Sequence, residues 1–191
     1  DVYKRQGLVG ESGSGKSVTA MSILRLISAP GKIESGSITF SIDDTSIDLL
    51  SESDSKLRKI RGGRIAMIFQ EPMLSLNPVK SLRSQIDECI ELSNHKLLLN
   101  DIHETLISVG LNDIDKILSS YPHMLSGGQR QRFMIAMSII RKPRVIIADE
   151  PTTALDVTLQ KQILDMLITL KSDLDMSMIL ISHDTVSYTH L

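Results

Sequence analysis

Residues 7–20 read GLVGESGSGKSVTA, and this stretch decides the fold class of the 191-residue chain. Positions 10–17 match the pattern G-x-x-x-x-G-K-[ST], in which the end of a strand leads through a glycine-rich turn into a helix. Gly13 and Gly15 permit backbone conformations that residues with a Cβ avoid. Successive N–H groups of the turn can therefore point at phosphate oxygens. The stretch predicts a phosphate-binding loop in an α/β domain.

The same loop predicts ATP as ligand and Mg²⁺ as its companion ion. Lys16 is expected to reach the β- and γ-phosphates, and Ser17 to ligate Mg²⁺. The start of the following helix adds its partial positive charge. The alternative is a turn that is merely rich in glycine and serine. The predicted ATP-binding residues of the loop are Gly10, Glu11, Ser12, Gly13, Ser14, Gly15, Lys16, Ser17 and Val18.

An acidic pair follows the apolar segment VIIA at residues 145–148. If this segment is a strand of the parallel sheet, Asp149 lies at the carboxyl edge of the sheet, near the phosphate loop. That is the expected place for an aspartate associated with Mg²⁺. Glu150 can polarise the attacking water as a general base. The alternative is that Asp-Glu simply begins a loop.

Composition excludes several classes of function. The net charge of −2 gives no basic excess of the kind that nucleic-acid binders show. The chain has no tryptophan and 3% aromatic residues, which disfavours base-stacking platforms. A single cysteine, Cys89, cannot form an internal disulfide, and a reducing compartment fits. No apolar run approaches the ~20 residues that cross a bilayer, so we expect any membrane role to come through a partner.

Periodicity along the chain predicts strands that alternate with helices, which is typical of a parallel sheet in an α/β domain. Apolar residues recur at helical spacing in several segments. Within 77–122, the residues at this spacing, whose run Gly110 breaks, are Leu82, Ile86, Cys89, Ile90, Ile102, Leu106 and Ile107. The predicted helices are 16–27, 51–60, 129–140 and 158–170, with further helices inside 77–122. The predicted strands end at Gly10 or cover 36–42, 64–69, 145–148 and 178–181.

Further motifs carry a family resemblance. LSGGQ at residues 125–129, followed by RQR, resembles the signature of the ABC ATPases. Gln70 after RIAMIF resembles the family's Q-loop glutamine, Ala154-Leu155-Asp156 its D-loop, and His183 its switch histidine. Taken alone, a histidine or a glutamine of this kind is more often a surface residue. Together with the phosphate loop and the acidic pair, however, these motifs stand in the family's order.

This resemblance implies the fold class in more detail. The implied fold is the α/β fold of an ABC nucleotide-binding domain, whose core is the parallel sheet of a P-loop NTPase (RecA-like). An inserted α-helical subdomain and a small antiparallel β portion accompany this core. Residues 1–74 are expected to form the N-terminal part of the core with its β portion. Residues 75–125 are expected to form the helical subdomain. Residues 126–191 are expected to hold the signature helix and the return to the core.

The resemblance also implies roles for individual residues. Gln70 would contact Mg²⁺ and the attacking water, and His183 would hold the γ-phosphate, so that Gln70, Glu150 and His183 form the catalytic set. Asp149, Ser17 and Gln70 would be the residues at the metal. In the family, the signature faces the ATP of an opposing subunit in a head-to-tail dimer, with the D-loop at that interface. The residues implied in this second contact with ATP are Ser126, Gly127, Gly128, Gln129 and Asp156.

Three stretches narrow the resemblance to the ATPases of dipeptide, oligopeptide and nickel importers: residues 10–20, 68–78 and 150–164. Ser14 and Val18 resemble the first of the two paired ATPases in those systems. The implied partners are a second ABC ATPase subunit, two membrane permease subunits and, indirectly, an extracytoplasmic solute-binding protein, with no nucleic acid. The implied location is the cytoplasmic face of the cell membrane. The alternatives are a non-transport ABC ATPase that acts on DNA or ribosomes and a nucleotide-binding regulatory module.

Both ends of the chain differ in character from the rest. The strings DVYKRQ at residues 1–6 and VSYTHL at residues 186–191 resemble translated sequencing-adapter tails. We expect native sequence from about Gly7 to Asp184; the alternative is an unusual but genuine terminus. The family's strands and adenine-stacking aromatic before the loop, and the extension of this importer group after the switch histidine, have no counterpart here. Weaker adenine binding and lower stability than in the longer parent are expected.

Overall fold

The structure is a computed structural model that describes residues 5–42, 45–70, 75–91, 99–153 and 155–183, without the side chains of Arg5 and Ile42. The residues 1–4 and 186–191 of the predicted adapter-derived ends lie outside these ranges. So do residues 71–74 within the stretch 68–78, and Ala154 of the predicted D-loop. None of the helices in the described part of the chain is long and apolar enough to span a membrane.

Strands and helices alternate along the chain. The described part of the chain has six strands: β1 (Arg5–Val9), β2 (Thr39–Ile42), β3 (Thr45–Asp48), β4 (Ile65–Ile68), β5 (Val145–Asp149) and β6 (Ser177–Ser182). The seven α-helices of the described ranges are α1 (Lys16–Ile23), α2 (Asp54–Ile60), α3 (Leu82–Glu91), α4 (Leu99–Ser108), α5 (Ile114–Ser119), α6 (Gly127–Ile139) and α7 (Val157–Asp173). A short 3₁₀ turn, Pro122–Met124, precedes α6.

Four strands form a parallel sheet in the order β1-β6-β5-β4, and β2 and β3 form a separate antiparallel pair. The predicted fold class is therefore confirmed: a parallel core carries helices and a small antiparallel sheet. In β1, Arg5 and Gln6 pair with Met178 and Ile179 of β6, so the strand begins two residues before Gly7. Although residues 5 and 6 are polar, they can join the strand because strands pair through their backbones.

The central strands are buried on both faces, as is usual for parallel strands covered by helices. In β5, Ile146 and Ala148 pack into a core shared with α3–α7, whereas Ile147 points to the opposite core with α1 and α2. This alternation reflects the two-residue period of a strand. Each fully buried aliphatic side chain stabilises the fold by about 1.5–3 kcal/mol. The sheet therefore holds its carboxyl edge, where the acidic pair lies, in a fixed position.

Several predicted element ends are wrong. Helix α1 ends at Ile23 instead of residue 27, because Arg25 adopts a left-handed φ of 49° and Leu26 N–H donates to Met21 O at 2.8 Å. This hydrogen bond and the left-handed residue are features of a Schellman motif, which terminates a helix. Helix α2 begins at Asp54, since the Ser53 hydroxyl accepts from the Lys56 N–H as its N-cap. Ser51 lies before this helix, and its hydroxyl donates to Asp48 O.

The helical region between β4 and β5 contains α3, α4 and α5, and Gly110, at φ 80°, ends the run after α4 as predicted. Leu82, Ile86, Ile102 and Leu106 are buried as their spacing predicts. The assignment of Ile107 to the same apolar face is wrong, because 55% of its surface is exposed. The predicted boundaries at residues 74 and 125 stay predictions.

Candidate functional site

The phosphate loop lies between the end of β1 and the start of α1. Gly13 and Gly15 have φ values of 82° and 92°, in the left-handed region that favours glycine. Gly15 is the N-cap of α1 and has no side chain to satisfy the first N–H groups of the helix. A Cβ added at Gly13 or Gly15 would have no neighbour within 4 Å. The loop thus leaves backbone donors and open space for an anion.

Gly10 is favoured for a different reason. A Cβ at this position would lie 2.7 Å from Ser14 Oγ, closer than real Cβ atoms approach. Ser14 is held there by a hydrogen bond from its N–H to Glu11 O at 3.2 Å. Gly10 therefore permits the tight turn, whereas Gly13 and Gly15 supply the left-handed conformations. Of the other loop residues, Glu11, Ser12 and Val18 are exposed.

The ammonium of Lys16 lies at the turn. Lys16 is buried, and its Nζ donates to Gly10 O at 2.7 Å and to Glu11 O at 2.8 Å. The same Nζ lies 3.9 Å from Glu150 Oε1. A cation is therefore held between the glycine-rich turn and the carboxyl edge of β5. This places the predicted phosphate-binding lysine next to the predicted general base.

Asp149 is the last residue of β5 and is 3% exposed. Its Oδ1 atom is buried and has no hydrogen-bond partner among the described residues, and Ser17 donates a hydrogen bond to its carboxylate. Burial raises the pKa of Asp149; the Ser17 bond opposes this, the Glu150 charge adds to it, and Lys16 opposes it. A buried carboxylate oxygen without a partner, beside a serine hydroxyl, is a donor set that fits Mg²⁺. Two of the three residues predicted for the metal, Ser17 and Asp149, are therefore adjacent.

Glu150 follows β5 directly and takes a left-handed φ of 45°. Its N–H donates to Ile181 O of β6 at 3.0 Å, which ties this conformation to the sheet. A non-glycine residue in this region costs on the order of 1–3 kcal/mol, and such residues cluster at functional sites. The backbone thus turns sharply at the proposed base and directs its side chain toward the ends of the neighbouring strands.

Three side chains converge on Oε2 of Glu150. Gln70 Nε2, which follows β4, donates to it at 3.2 Å, and His183 Nδ1, which follows β6, lies at 3.0 Å. The Thr153 hydroxyl donates to it at 2.9 Å. The structure therefore brings together the three residues of the predicted catalytic set. Thr153 was missed by the sequence analysis; its only signal is its place three residues after Glu150 with a proline between them.

The signature residues begin α6. The Ser126 hydroxyl accepts from Gln129 N–H at 3.3 Å, and the Gln129 side chain accepts from Ser126 N–H at 3.0 Å, which is a capping box. Gly128 is packed against Leu159 of α7, because an added Cβ would lie 3.4 Å from its Cδ1. The hydrogen bonds described for Ser126 and Gln129 join these residues to each other and not to the phosphate loop.

Asp156 is the N-cap of α7. Its Oδ1 accepts from Leu159 N–H at 3.0 Å, and its carbonyl accepts from Gln160 N–H at 2.8 Å. The D-loop aspartate therefore has a structural partner within its own chain. Its predicted position at a subunit interface stays a prediction, as do the other predicted roles of the site residues.

A parallel sheet that presents a glycine-rich phosphate loop and an Asp-Glu pair at its carboxyl edge defines a P-loop NTPase. The profile of the ABC transporter family matches residues 3–153. The chain therefore belongs to the ABC transporter family.

Curated relatives support the same family. An uncharacterised ABC transporter ATP-binding protein, YejF of Escherichia coli K12, is 51% identical over 93% of this chain and 34% of its own length. The glutathione import ATP-binding protein GsiA of Salmonella typhimurium LT2 is 49% identical over 93% of this chain and 29% of its own length. A putative peptide import ATP-binding protein of Brucella abortus is 49% identical, with 53% of its length covered. The chain thus spans between about a third and a half of these relatives.

Solved structures resemble this fold. The dimeric structure of MJ0796, a bacterial ABC transporter cassette, superposes with a TM-score of 0.73 at 28% identity, covering 96% of this chain and 75% of that one. A post-hydrolysis state of the same cassette, bound to ADP and Pi, superposes equally well.

Proposed function

We propose that this chain binds ATP at residues 10–17 and hydrolyses it as the energising part of an ABC importer. The observation that carries the proposal is the position of Glu150. Its Oε1 lies 3.9 Å from the Lys16 ammonium, while its Oε2 is held by Gln70 and approached by His183. A carboxylate that is fixed beside a phosphate-binding lysine is placed to accept a proton from water.

Binding is assigned to the loop and to the start of α1. The backbone N–H groups from Gly13 onward would hold the phosphates, and Lys16 would exchange its carbonyl partners for the β- and γ-oxygens. Ser17 and Asp149 would hold Mg²⁺, with Gln70 nearby in the proposed scheme. When bound, the ion neutralises charge that develops on the phosphate oxygens.

Hydrolysis follows from the arrangement around Glu150. The oxygen of a water molecule bonds to the γ-phosphorus, and the bond from phosphorus to the bridging oxygen breaks with its electron pair leaving on ADP. The proton of the water passes to the Glu150 carboxylate. His183 would orient the γ-phosphate and Gln70 the water, which fits their convergence on the base.

We further propose that the competent site needs a second subunit. The signature turn lies at the N-terminus of α6, where Ser126, Gly127 and Gln129 are exposed, and its hydrogen bonds do not reach the phosphate loop of its own chain. Exposed N–H donors at a helix N-terminus suit a phosphate. A head-to-tail dimer would bring this turn to the ATP of the partner, with Asp156 at the interface. The resemblance to a cassette described as dimeric supports this arrangement.

The proposed cargo is a peptide or a related solute. Relatives at about 50% identity are named as import proteins for glutathione and for peptides. Two permease subunits at the membrane would receive the conformational change, and the chain would lie at the cytoplasmic face. An extracytoplasmic binding protein would select the solute. The group to which the sequence is similar supports nickel as the alternative cargo.

Replacement of the base tests the proposal. Glu150→Gln keeps the size of the side chain but cannot accept the proton, so turnover should fall about 10²–10⁴-fold while ATP remains bound. Steady-state phosphate release and equilibrium ATP binding measure these two effects. Glu104→Gln, a change of the same type on the exposed face of α4, is the matched control. Unchanged hydrolysis in Glu150→Gln would overturn the assignment.

A further inference from the structure

The two carboxylate oxygens of Glu150 have different surroundings. Oε2 lies 2.9 Å from Thr153 Oγ1, 3.0 Å from His183 Nδ1 and 3.2 Å from Gln70 Nε2. Oε1 instead faces the phosphate loop, 3.9 Å from the Lys16 ammonium. The side chain of Glu150 is 12% exposed, so water reaches little of it. One oxygen is thus engaged by neighbouring side chains, and the other is directed toward the place of the phosphates.

The contact of Thr153 differs from the other two because a local turn creates it. The N–H of Thr153 donates to Glu150 O at 3.3 Å, which closes a four-residue turn. Pro151 occupies the second position of this turn, where its fixed φ is favourable. The hydroxyl of Thr153 therefore reaches back to the side chain that begins the turn. By contrast, Gln70 and His183 reach Glu150 from the ends of two other strands.

We infer that Thr153 is a positioning residue, whose hydroxyl holds Oε2 of Glu150 so that Oε1 takes the proton of the attacking water. The inference rests on the proposed role of Glu150 as the base. The terminal torsion of a glutamate is broad, so an unrestrained carboxylate spreads over many orientations relative to the attacking water. A hydrogen bond to one oxygen restricts this rotation, and correct orientation of a reacting group accelerates the step.

Substitution of Thr153 by valine and by serine distinguishes the effect of its hydroxyl from the effect of its side-chain shape. Thr153 is exposed, and Thr153→Val replaces the hydroxyl by a methyl group while keeping the branched Cβ. The fold should tolerate this change. Thr153→Ser keeps the hydroxyl and removes the methyl group. Thr169→Val is the matched control, because the hydroxyl of Thr169 is exposed on α7 and donates only to Asp165 O in its own helix.

The experiment compares steady-state ATP hydrolysis of the chain and these variants, with equilibrium binding of ATP as a second readout. For Thr153→Val we expect kcat to fall about tenfold, the effect of losing a hydrogen bond to a charged group. KM and the dissociation constant of ATP should stay within about twofold, because the hydroxyl orients the base and does not bind nucleotide. Thr153→Ser should recover kcat to within about twofold, and Thr169→Val should not change it.

The outcomes distinguish this inference from the proposed function. If Glu150→Gln abolishes turnover but Thr153→Val retains the full kcat, the positioning role is wrong and the base assignment stands. If Thr153→Val weakens ATP binding as much as it lowers kcat, or if serine fails to restore kcat, the hydroxyl does not act through Glu150. If Glu150→Gln hydrolyses ATP normally, the proposed function itself fails, and the inference fails with it.

Discussion

The side-chain amide of Gln131 donates a hydrogen bond to the carbonyl oxygen of Pro151, and both residues are buried. Gln131 lies in the second turn of α6, which the signature begins, and Pro151 directly follows the proposed base. The segment that follows Glu150 has a second such contact, because Gln160 of α7 donates to Thr152 O at 3.2 Å and to Leu155 O at 3.1 Å. Two glutamine amides therefore fix the segment between Glu150 and Asp156 to the helices around it.

Removal of the Gln131 amide should destabilise the chain and slow hydrolysis. Gln131→Met keeps an unbranched side chain of similar length but leaves the Pro151 carbonyl without its donor. A buried unpaired carbonyl costs about 1–3 kcal/mol of the free energy of unfolding, which urea denaturation measures. Gln162→Met is the control at an exposed position of α7; its Oε1 accepts from Arg132 Nη2 at 3.2 Å, a bond that water can replace, so the variant should cost only about 0.5 kcal/mol. Equal stability of the two variants would show that the bond to Pro151 contributes nothing.

The two roles of Asp156 can be separated by substitution. Asp156→Ala removes the acceptor of the Leu159 N–H and should lower the free energy of unfolding by about 0.5–2 kcal/mol, as expected for the loss of an N-cap. Asp156→Asn retains a good capping side chain and should preserve stability. If the carboxylate also acts at a subunit interface, Asp156→Asn should still lower ATP turnover. Normal turnover in a stable Asp156→Asn chain would restrict Asp156 to capping.

Local patterns predicted the parts of the site that local geometry determines. The phosphate loop requires glycine at its left-handed positions, and Gly13 and Gly15 adopt that conformation. Asp149 ends a buried strand and Glu150 follows it, so the direction of the parallel sheet places both near the loop. The capping box at Ser126 likewise involves only the four consecutive residues 126–129. In each case the sequence carries its own conformational signal.

Contacts between distant segments could not be predicted in this way. The bond from Gln131 to Pro151 depends on how α6 packs beside β5, which no spacing within either segment encodes. Helix α1 ends at Ile23, and Arg25 shortly after it takes a left-handed conformation, at a position where glycine or asparagine would have given a signal. The exposure of Ile107 depends on which side of α4 faces α6. Tertiary packing decides these features, and it also selects Thr153 as a neighbour of the base.

The buried carboxyl of Asp149 should make stability depend on pH. Because burial raises the pKa of Asp149, the folded chain holds this proton more tightly than the unfolded chain does. The contribution of Asp149 to stability is therefore complete below its ordinary pKa of 3.8, and it is lost as the pH rises through the raised pKa of the folded chain. Asp149→Asn lacks this loss, so it should gain stability relative to wild type as the pH rises.

Denaturant unfolding of both chains, at a series of pH values without divalent ions, measures the difference between them. A difference that does not change with pH would contradict the raised pKa. Addition of Mg²⁺ with ATP should stabilise the wild-type chain, since a ligand that binds the folded state raises its stability. The same addition should stabilise Asp149→Asn much less. The Oδ1 atom that suits the ion in the wild type belongs to a carboxylate, and asparagine has none.

Gly128 allows the requirements of folding and of the signature to be distinguished. Gly128 is in α6, and an added Cβ would lie 3.4 and 3.6 Å from the two Cδ atoms of Leu159, which is ordinary van der Waals contact. Gly128→Ala should therefore keep or raise the stability, by up to about 1 kcal/mol, because alanine is the better helix former. Gly110→Ala is the contrasting control. Its φ is 80° and its Cβ would lie 2.8 Å from Arg132 Nη1, so it should destabilise the chain.

The same Gly128→Ala chain should lose ATP turnover about tenfold or more if the signature backbone must approach a partner's phosphates closely, since an added Cβ that shifts the backbone N–H donors weakens their stabilisation of developing charge. Thermal unfolding and phosphate release, measured on one preparation, give both quantities. A stable Gly128→Ala chain with low turnover would assign the glycine to a ligand outside its own subunit. A stable chain with full turnover would show that Gly128 serves only the close packing of α6 against α7.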